Sequence, residues 1–184
     1  MYYTNTLPGS WLRNKNLNTP KKKGNRLSIR PLERDDASAI YNIFSKSEVC
    51  EFYDLSPYSD LSQSIEQIEK WLRNYELGRQ IRYAICEADE VIGTCGLYSI
   101  YRHQNRANLG YDLLPSKWNR GYMTDALRLF LELCFEEWNF HRIQALVLPE
   151  NGSSIKLLSK IGFKKEGLLK DYEIWPGRGY VDLQ

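Results

Sequence analysis

The sequence predicts a mixed α+β domain organised on one central sheet, and three observations carry that reading. Three runs of strand character follow one another between residues 81 and 115 with only short links. A long helical stripe then leads into a further apolar run, so that a strand, a helix and a strand stand in succession. Two amphipathic segments precede the whole arrangement. With 184 residues the chain fits one domain and can bury a core of useful size.

Each element has its own signal. Residues 1–25 show no hydrophobic period and are rich in turn formers, so they read as a weakly structured leader to a single domain spanning 26–184. RLSIRPL (26–32) alternates apolar and polar residues, as a first strand does. In ERDDASAIYNIF an acid at Asp35 or Asp36 opens a helix whose face carries Ala39, Ile40, Ile43 and Phe44. A second helix starts from a cap at Asp60 or Ser62, carries Ile65, Ile68, Trp71, Leu72 and Tyr75, and is closed by Gly78.

IRYAICEADEVIGTCGLYSI then gives a strand, a turn at 88–90 and a strand holding Gly93 and Gly96. RANLGYDLLP adds a third, stopped by Pro115, and short links make the three an antiparallel meander. Leu127, Phe130, Leu131, Cys134, Phe135 and Trp138 recur at helical spacing. HRIQALVL follows as a strand, parallel to the one before the helix because a crossover joins them. A short helix in NGSSIKLLSKIGF and strands in FKKEGLLKDYEI and GRGYVDLQ complete the chain, the last still running at Gln184.

Composition excludes several classes. A net charge of +2 is too small for a nucleic-acid binder, and Lys21, Lys22 and Lys23 read as a solvated tether. The four cysteines show no paired spacing, and three sit in apolar patterns as reduced, buried thiols do. His103 and His141 stand apart from other ligand types, so no metal site is predicted. No signal peptide is visible and no run approaches the roughly 20 apolar residues of a membrane span, so the expected setting is cytoplasmic.

The chemistry concentrates at residues 118–126, WNRGYMTDA. A helix N-terminus exposes unpaired N–H groups at the positive end of its dipole, glycine lets backbone approach a ligand, and Arg120 adds a cation. Asn119, Arg120, Gly121, Tyr122, Met123 and Thr124 therefore form a candidate phosphate cradle. A plain turn is the alternative, and Asp125 opposes an anion locally.

This run resembles the phosphate-binding motif of the GNAT acetyltransferase superfamily, Q/R-x-x-G-x-G/A, and is most similar to the branch of ribosomal-protein N-terminal (Rim-type) acetyltransferases. Trp118 and Met123 replace two of the general motif's residues in the manner of that branch. A second signature agrees, with Asn151, Ser154, Ile155, Lys160, Gly162 and Phe163 matching the family's N-x-x-S/A-I-x-L-L-x-K-x-G-F. LGYDLLP and LSIRPLERDDA match the preceding strand and the opening of the fold, so the resemblance covers about residues 26–184.

The resemblance implies a GNAT fold: a central twisted mixed β-sheet whose fourth and fifth strands splay apart, flanked by about four helices. It implies acetyl-CoA as cosubstrate, with Leu113 and Leu114 offering backbone groups to the pantetheine arm. The cradle would hold the pyrophosphate and Asn151 would bond the cofactor, unless Asn151 serves only as a turn or helix cap.

The activity implied is transfer of the acetyl group to a primary amine, the N-terminal α-amine of a protein or a small-molecule amine. A CoA-binding regulatory module without turnover is the alternative. The family's usual tyrosine acid is replaced by Leu158, which makes Ser154 the substitute proton donor unless it is a capping residue. Asp112 is the candidate base, acting through water, or else an exposed strand residue. Asn108 stands where relatives often carry Glu, and Glu33, Glu87 and Tyr111 are further candidates. The acids Glu48, Glu51 and Asp54, between the first two helices, either attract a cationic acceptor or lie in a solvated loop. No nucleic-acid or membrane partner is expected, and monomer and homodimer both stay open.

Overall fold

The computed structural model describes residues 20–184. Most of the predicted leader lies outside the described residues, but Lys22–Lys23 form a short strand, β1, antiparallel to β2 at Ser28–Pro31. The predicted meander follows as β3 (Ile81–Glu87), β4 (Glu90–Tyr101) and β5 (Arg106–Leu113), with β6 at Arg142–Gln144. These make one sheet in sequential order, antiparallel throughout except for the parallel pair β5 and β6.

Alternation along the strands sends side chains to two layers. On one face Ile29, Ile81, Tyr83, Ile85, Leu97 and Leu109 pack against α4, Tyr122–Glu132. Tyr83, Phe130 and Trp138 form an edge-to-face aromatic triad there, with centroids 5.4 to 5.9 Å apart. On the other face Ala84 and Cys86 meet Ile40, Ile43, Phe44, Ile68 and Trp71. Those residues come from α1 (Ala37–Phe44) and α3 (Leu61–Glu76), with a four-residue α2 (Ser47–Cys50) between them. Asp60 is the cap of α3, accepting from the Ser62 N–H at 2.7 Å, and Gly78 at φ 64° ends that helix.

The helical stripe needs one correction. After Glu132 the helix widens into a π-helical turn, Leu133–Glu137, which shifts the inward face by part of a turn. Leu133 and Cys134 become fully buried, whereas Phe135, placed on the core stripe by its spacing, is 45% exposed.

The predicted splay is present. The fourth and fifth strands of the sequence reading are β5 and β6, since β1 adds one ahead of them. They pair only from Arg106↔Arg142 to Asn108↔Gln144. HRIQALVL is therefore not one continuous sheet strand: beyond Gln144 the chain leaves the sheet, and Val147 instead exchanges two backbone bonds with Gln184, 3.0 and 2.9 Å long. The helix α5 (Gly152–Lys160) follows, and β7 (Leu169–Trp175) and β8 (Gly179–Leu183) form a separate antiparallel hairpin. Its inner side, Trp175, Val181 and Leu183, packs on Leu148 with Phe52 and Leu146.

Gly93 and Gly96 mark places where strands approach too closely for a side chain. A Cβ on Gly96 would sit 2.1 Å from the Ile81 carbonyl oxygen. Gly96→Ala should therefore lower stability by about 1–3 kcal/mol, the usual cost of overpacking, measured by denaturant unfolding.

Candidate active site

The site begins where β5 loses its partner. The Leu114 N–H donates to the Ile92 carbonyl on β4 at 2.9 Å, so by antiparallel alternation the backbones of Tyr111 and Leu113 face the other way, into the gap. Their carbonyls are already occupied. Tyr53 donates its hydroxyl to the Tyr111 carbonyl at 2.7 Å, and the Trp118 indole donates to the Leu113 carbonyl at 2.8 Å. What the gap offers is thus the N–H of each residue, a donor-lined slot. Of the two residues assigned backbone contacts by the sequence, Leu113 turns its N–H towards the gap. Leu114 has its N–H on Ile92 and its carbonyl on the Lys117 N–H at 2.9 Å.

At the end of this slot lies the predicted cradle. Asn119 (φ 57°) and Gly121 (φ 80°) are both left-handed, and Gly121 caps α4. The first bond of the helix runs from the Asp125 N–H to the Gly121 carbonyl, leaving the N–H groups of Tyr122, Met123 and Thr124 without an intrahelical acceptor. The side chains of these three residues are buried, so backbone is what they present. Arg26, Lys117 and Arg120 gather around the Tyr122 ring at 4.3, 5.5 and 5.9 Å. Arg26 also pairs with Asp125 at 2.8 Å, which neutralises the carboxylate that would repel an anion here. Lys117 pairs with Glu87, which accepts from the Tyr122 hydroxyl as well. Sequence reasoning missed Arg26 because it lies 99 positions from Asp125, with no local pattern to announce it.

The proton-transfer candidates separate. Ser154 lies in the first turn of α5, its N–H bonded to the Asn151 side chain at 3.0 Å and its hydroxyl 2.6 Å from that of Tyr111. Burial pushes the Tyr111 phenol up to about 12, with the Ser154 bond pulling the other way, so at neutral pH it keeps its proton. Asn151 is a helix cap through Oδ1. Asp112 is on the opposite face of β5 with none of its side chain exposed, paired with Arg82 and accepting from the Thr94 hydroxyl at 2.7 Å and the Thr94 N–H at 3.1 Å. Burial pushes this carboxyl up while Arg82 and Thr94 pull it down. Arg82 in turn stacks on Trp71 at 4.9 Å. Among the described residues no group of three metal-ligating side chains converges, and no helix is long and apolar enough to cross a membrane.

Comparison with known proteins bears on the fold and the family. Residues 26–164 match the model of the Acetyltransferase (GNAT) domain. The chain is 40% identical over 156 residues to the uncharacterized N-acetyltransferase p20 of Bacillus licheniformis, covering 83% of this chain and 87% of that one. Its fold is similar to that of a ribosomal-protein-S5-alanine acetyltransferase from Vibrio fischeri, at a TM-score of 0.78 and 22% identity over 89% of this chain and 93% of the other. It is also similar to the spermidine N-acetyltransferase of Vibrio cholerae in complex with CoA and spermine, at a TM-score of 0.74 and 24% identity over 86% and 92%.

Asp112→Ala should cost about 3–5 kcal/mol of folding stability, because it strands the buried Arg82 guanidinium. Calorimetric melting checks this; an unchanged melting temperature with lost activity would mark Asp112 as a chemical group instead.

Proposed function

This chain belongs to the GNAT acetyltransferase family, and on that premise we propose that it acetylates a primary amine, the α-amine of a protein N-terminus first and a small free amine second. It is an acetyl-CoA-dependent N-acetyltransferase. The observation that carries the reading is the donor-lined gap in β5 opening beside a cationic helix N-terminus. The residues present fit the cosubstrate: Arg26, Lys117 and Arg120 with the first-turn N–H groups would hold its phosphates, and the Leu113 N–H its extended arm.

Acetyl-CoA supplies an activated acyl group in the form of a thioester. The acceptor nitrogen needs its lone pair, so its ammonium proton must first pass to solvent. The N–H of Tyr111, in a strand whose position is fixed by pairing to β4, would take the negative charge that develops on the acyl oxygen. The Tyr111 hydroxyl, held by Ser154, would give its proton to the departing sulfur and be reprotonated through solvent by the proton the attacking nitrogen sheds, so that a C–N and an S–H bond form, a C–S and an N–H bond break, and a thiol leaves. Ser154 keeps a part in the proton-donor role suggested by its sequence position, now as partner of Tyr111. Asn151 would have only its side-chain N–H2 group left for the cofactor. We assign Asp112 to positioning: with Arg82 it fixes β5 against β3 and β4, since both its oxygens are committed and none of its side chain reaches water.

Thiol release from acetyl-CoA in the presence of peptides and small amines tests the reading, and absence of turnover with every amine would overturn it. Arg120→Glu should weaken acetyl-CoA binding at least tenfold without lowering the melting temperature, as measured by titration calorimetry. Tyr111→Phe should reduce kcat by about a hundredfold with little change in cofactor affinity. Because the active form is the protonated phenol and its pKa is raised to about 12, kcat should not fall from this group between pH 8 and 10.5.

A further inference from the structure

Past the Asn108↔Gln144 pair no ladder joins the two walls of the gap, so their spacing is set by other contacts. One of these lies on the α4 face of the sheet, where the Tyr111 hydroxyl of β5 sits 2.6 Å from that of Ser154. Ser154 belongs to the far wall, because the Asn151 N–H at the start of α5 donates to the Leu148 carbonyl at 2.9 Å. A contact this short tolerates little relative movement of the walls. A displacement of about 1 Å at a reacting centre can slow a reaction about a hundredfold.

On the other face the loop at 51–60, between α2 and α3, reaches both walls. Tyr53 packs edge-on to Phe44 of α1, with centroids 5.8 Å apart, and donates its hydroxyl to the Tyr111 carbonyl at 2.7 Å. Burial pushes that phenol far above its ordinary range, so it keeps the proton it donates. The preceding residue, Phe52, packs on the cluster of Leu148, Trp175, Val181 and Leu183, which carries the far wall. Arg178, in the hairpin turn, donates to the Glu51 carbonyl at 3.0 Å, and the Tyr58 N–H donates to the Phe44 carbonyl at 2.9 Å. Two adjacent residues thus hold opposite walls. Their Cα atoms are fixed about 3.8 Å apart by the chain itself, so neither wall can move off without breaking one of these contacts.

Resting on the acetyltransferase reading above, we propose that Phe52 and Tyr53 form a brace across the splay and are positioning residues for acetyl transfer. Neither takes part in a bond that forms or breaks. They act through Tyr111, by keeping its hydroxyl within reach of Ser154 from the opposite face of the sheet. The phosphate cradle at residues 122–124 stands outside the brace, on α4. Loss of the brace should therefore slow the chemical step and spare cosubstrate binding, whereas a general loosening of the fold would harm both.

Residue-resolved amide exchange and steady-state kinetics test the brace. Tyr53→Phe removes a hydroxyl from the β5 side, yet it should speed exchange at least threefold at the Val147 and Gln184 N–H groups, which bond each other's residues on the far wall. A bond of purely local effect would leave those two amides unchanged, and that result would overturn the proposal. Tyr53→Phe and Phe52→Ala should each lower kcat at least fivefold with the acetyl-CoA KM within twofold of wild type. Phe52→Leu, which keeps an apolar anchor, should return kcat to within twofold. Full kcat in both variants, or kcat and acetyl-CoA affinity falling together, would equally overturn it. If the wild type acetylates no amine, the acetyltransferase reading fails separately, and exchange at Val147 and Gln184 then decides the brace alone by the same threefold criterion.

Discussion

Everything in this structure turns on one backbone constraint: after Asn108 the strand β5 has no neighbour on one side among the described residues. A strand edge inside a protein leaves N–H and C=O groups that need partners, and an unpaired buried group is costly. Here the two acceptors are satisfied from within the chain, by the Tyr53 hydroxyl and the Trp118 indole, while the donors of Tyr111 and Leu113 are left facing the gap. The edge is thereby converted from a general pairing site into a selective one. It suits a ligand rich in carbonyl oxygen, which is what an acyl group on an amide-containing arm provides.

Charge is concentrated at one end of the gap. There the N-terminus of α4 is flanked by Arg26, Lys117 and Arg120, and Arg26 silences Asp125. An anionic cosubstrate would be drawn to this end. On the opposite face of β5 the buried Arg82–Asp112 pair ties that strand to β3.

Much of this was legible in sequence because it is local. The meander, the Asp60 cap, the terminating Gly78 and the glycine turn into α4 all depend on residues a few positions apart, where periodicity and turn chemistry speak directly. The splay came from the family resemblance, since nothing local in HRIQALVL says that its pairing stops at Gln144. The contacts that convert the fold into a site were not legible. Tyr53 reaches Tyr111 across 58 positions and Arg26 reaches Asp125 across 99, and no spacing rule connects such pairs. Phe135 misled for a different reason: the π-helical turn changes the period on which the stripe was counted. Asp112 looked reactive because an acid on a strand beside a cradle invites that reading, and only the packing reveals that Arg82 and Thr94 occupy it.

The most direct test of the donor-lined gap is amide hydrogen exchange, resolved by residue, with and without CoA. The account predicts that the N–H groups of Tyr111 and Leu113 exchange readily in the free protein and become protected on binding, together with those of Tyr122 to Thr124. Protection confined to other strands, with Tyr111 and Leu113 unchanged at saturating CoA, would contradict it.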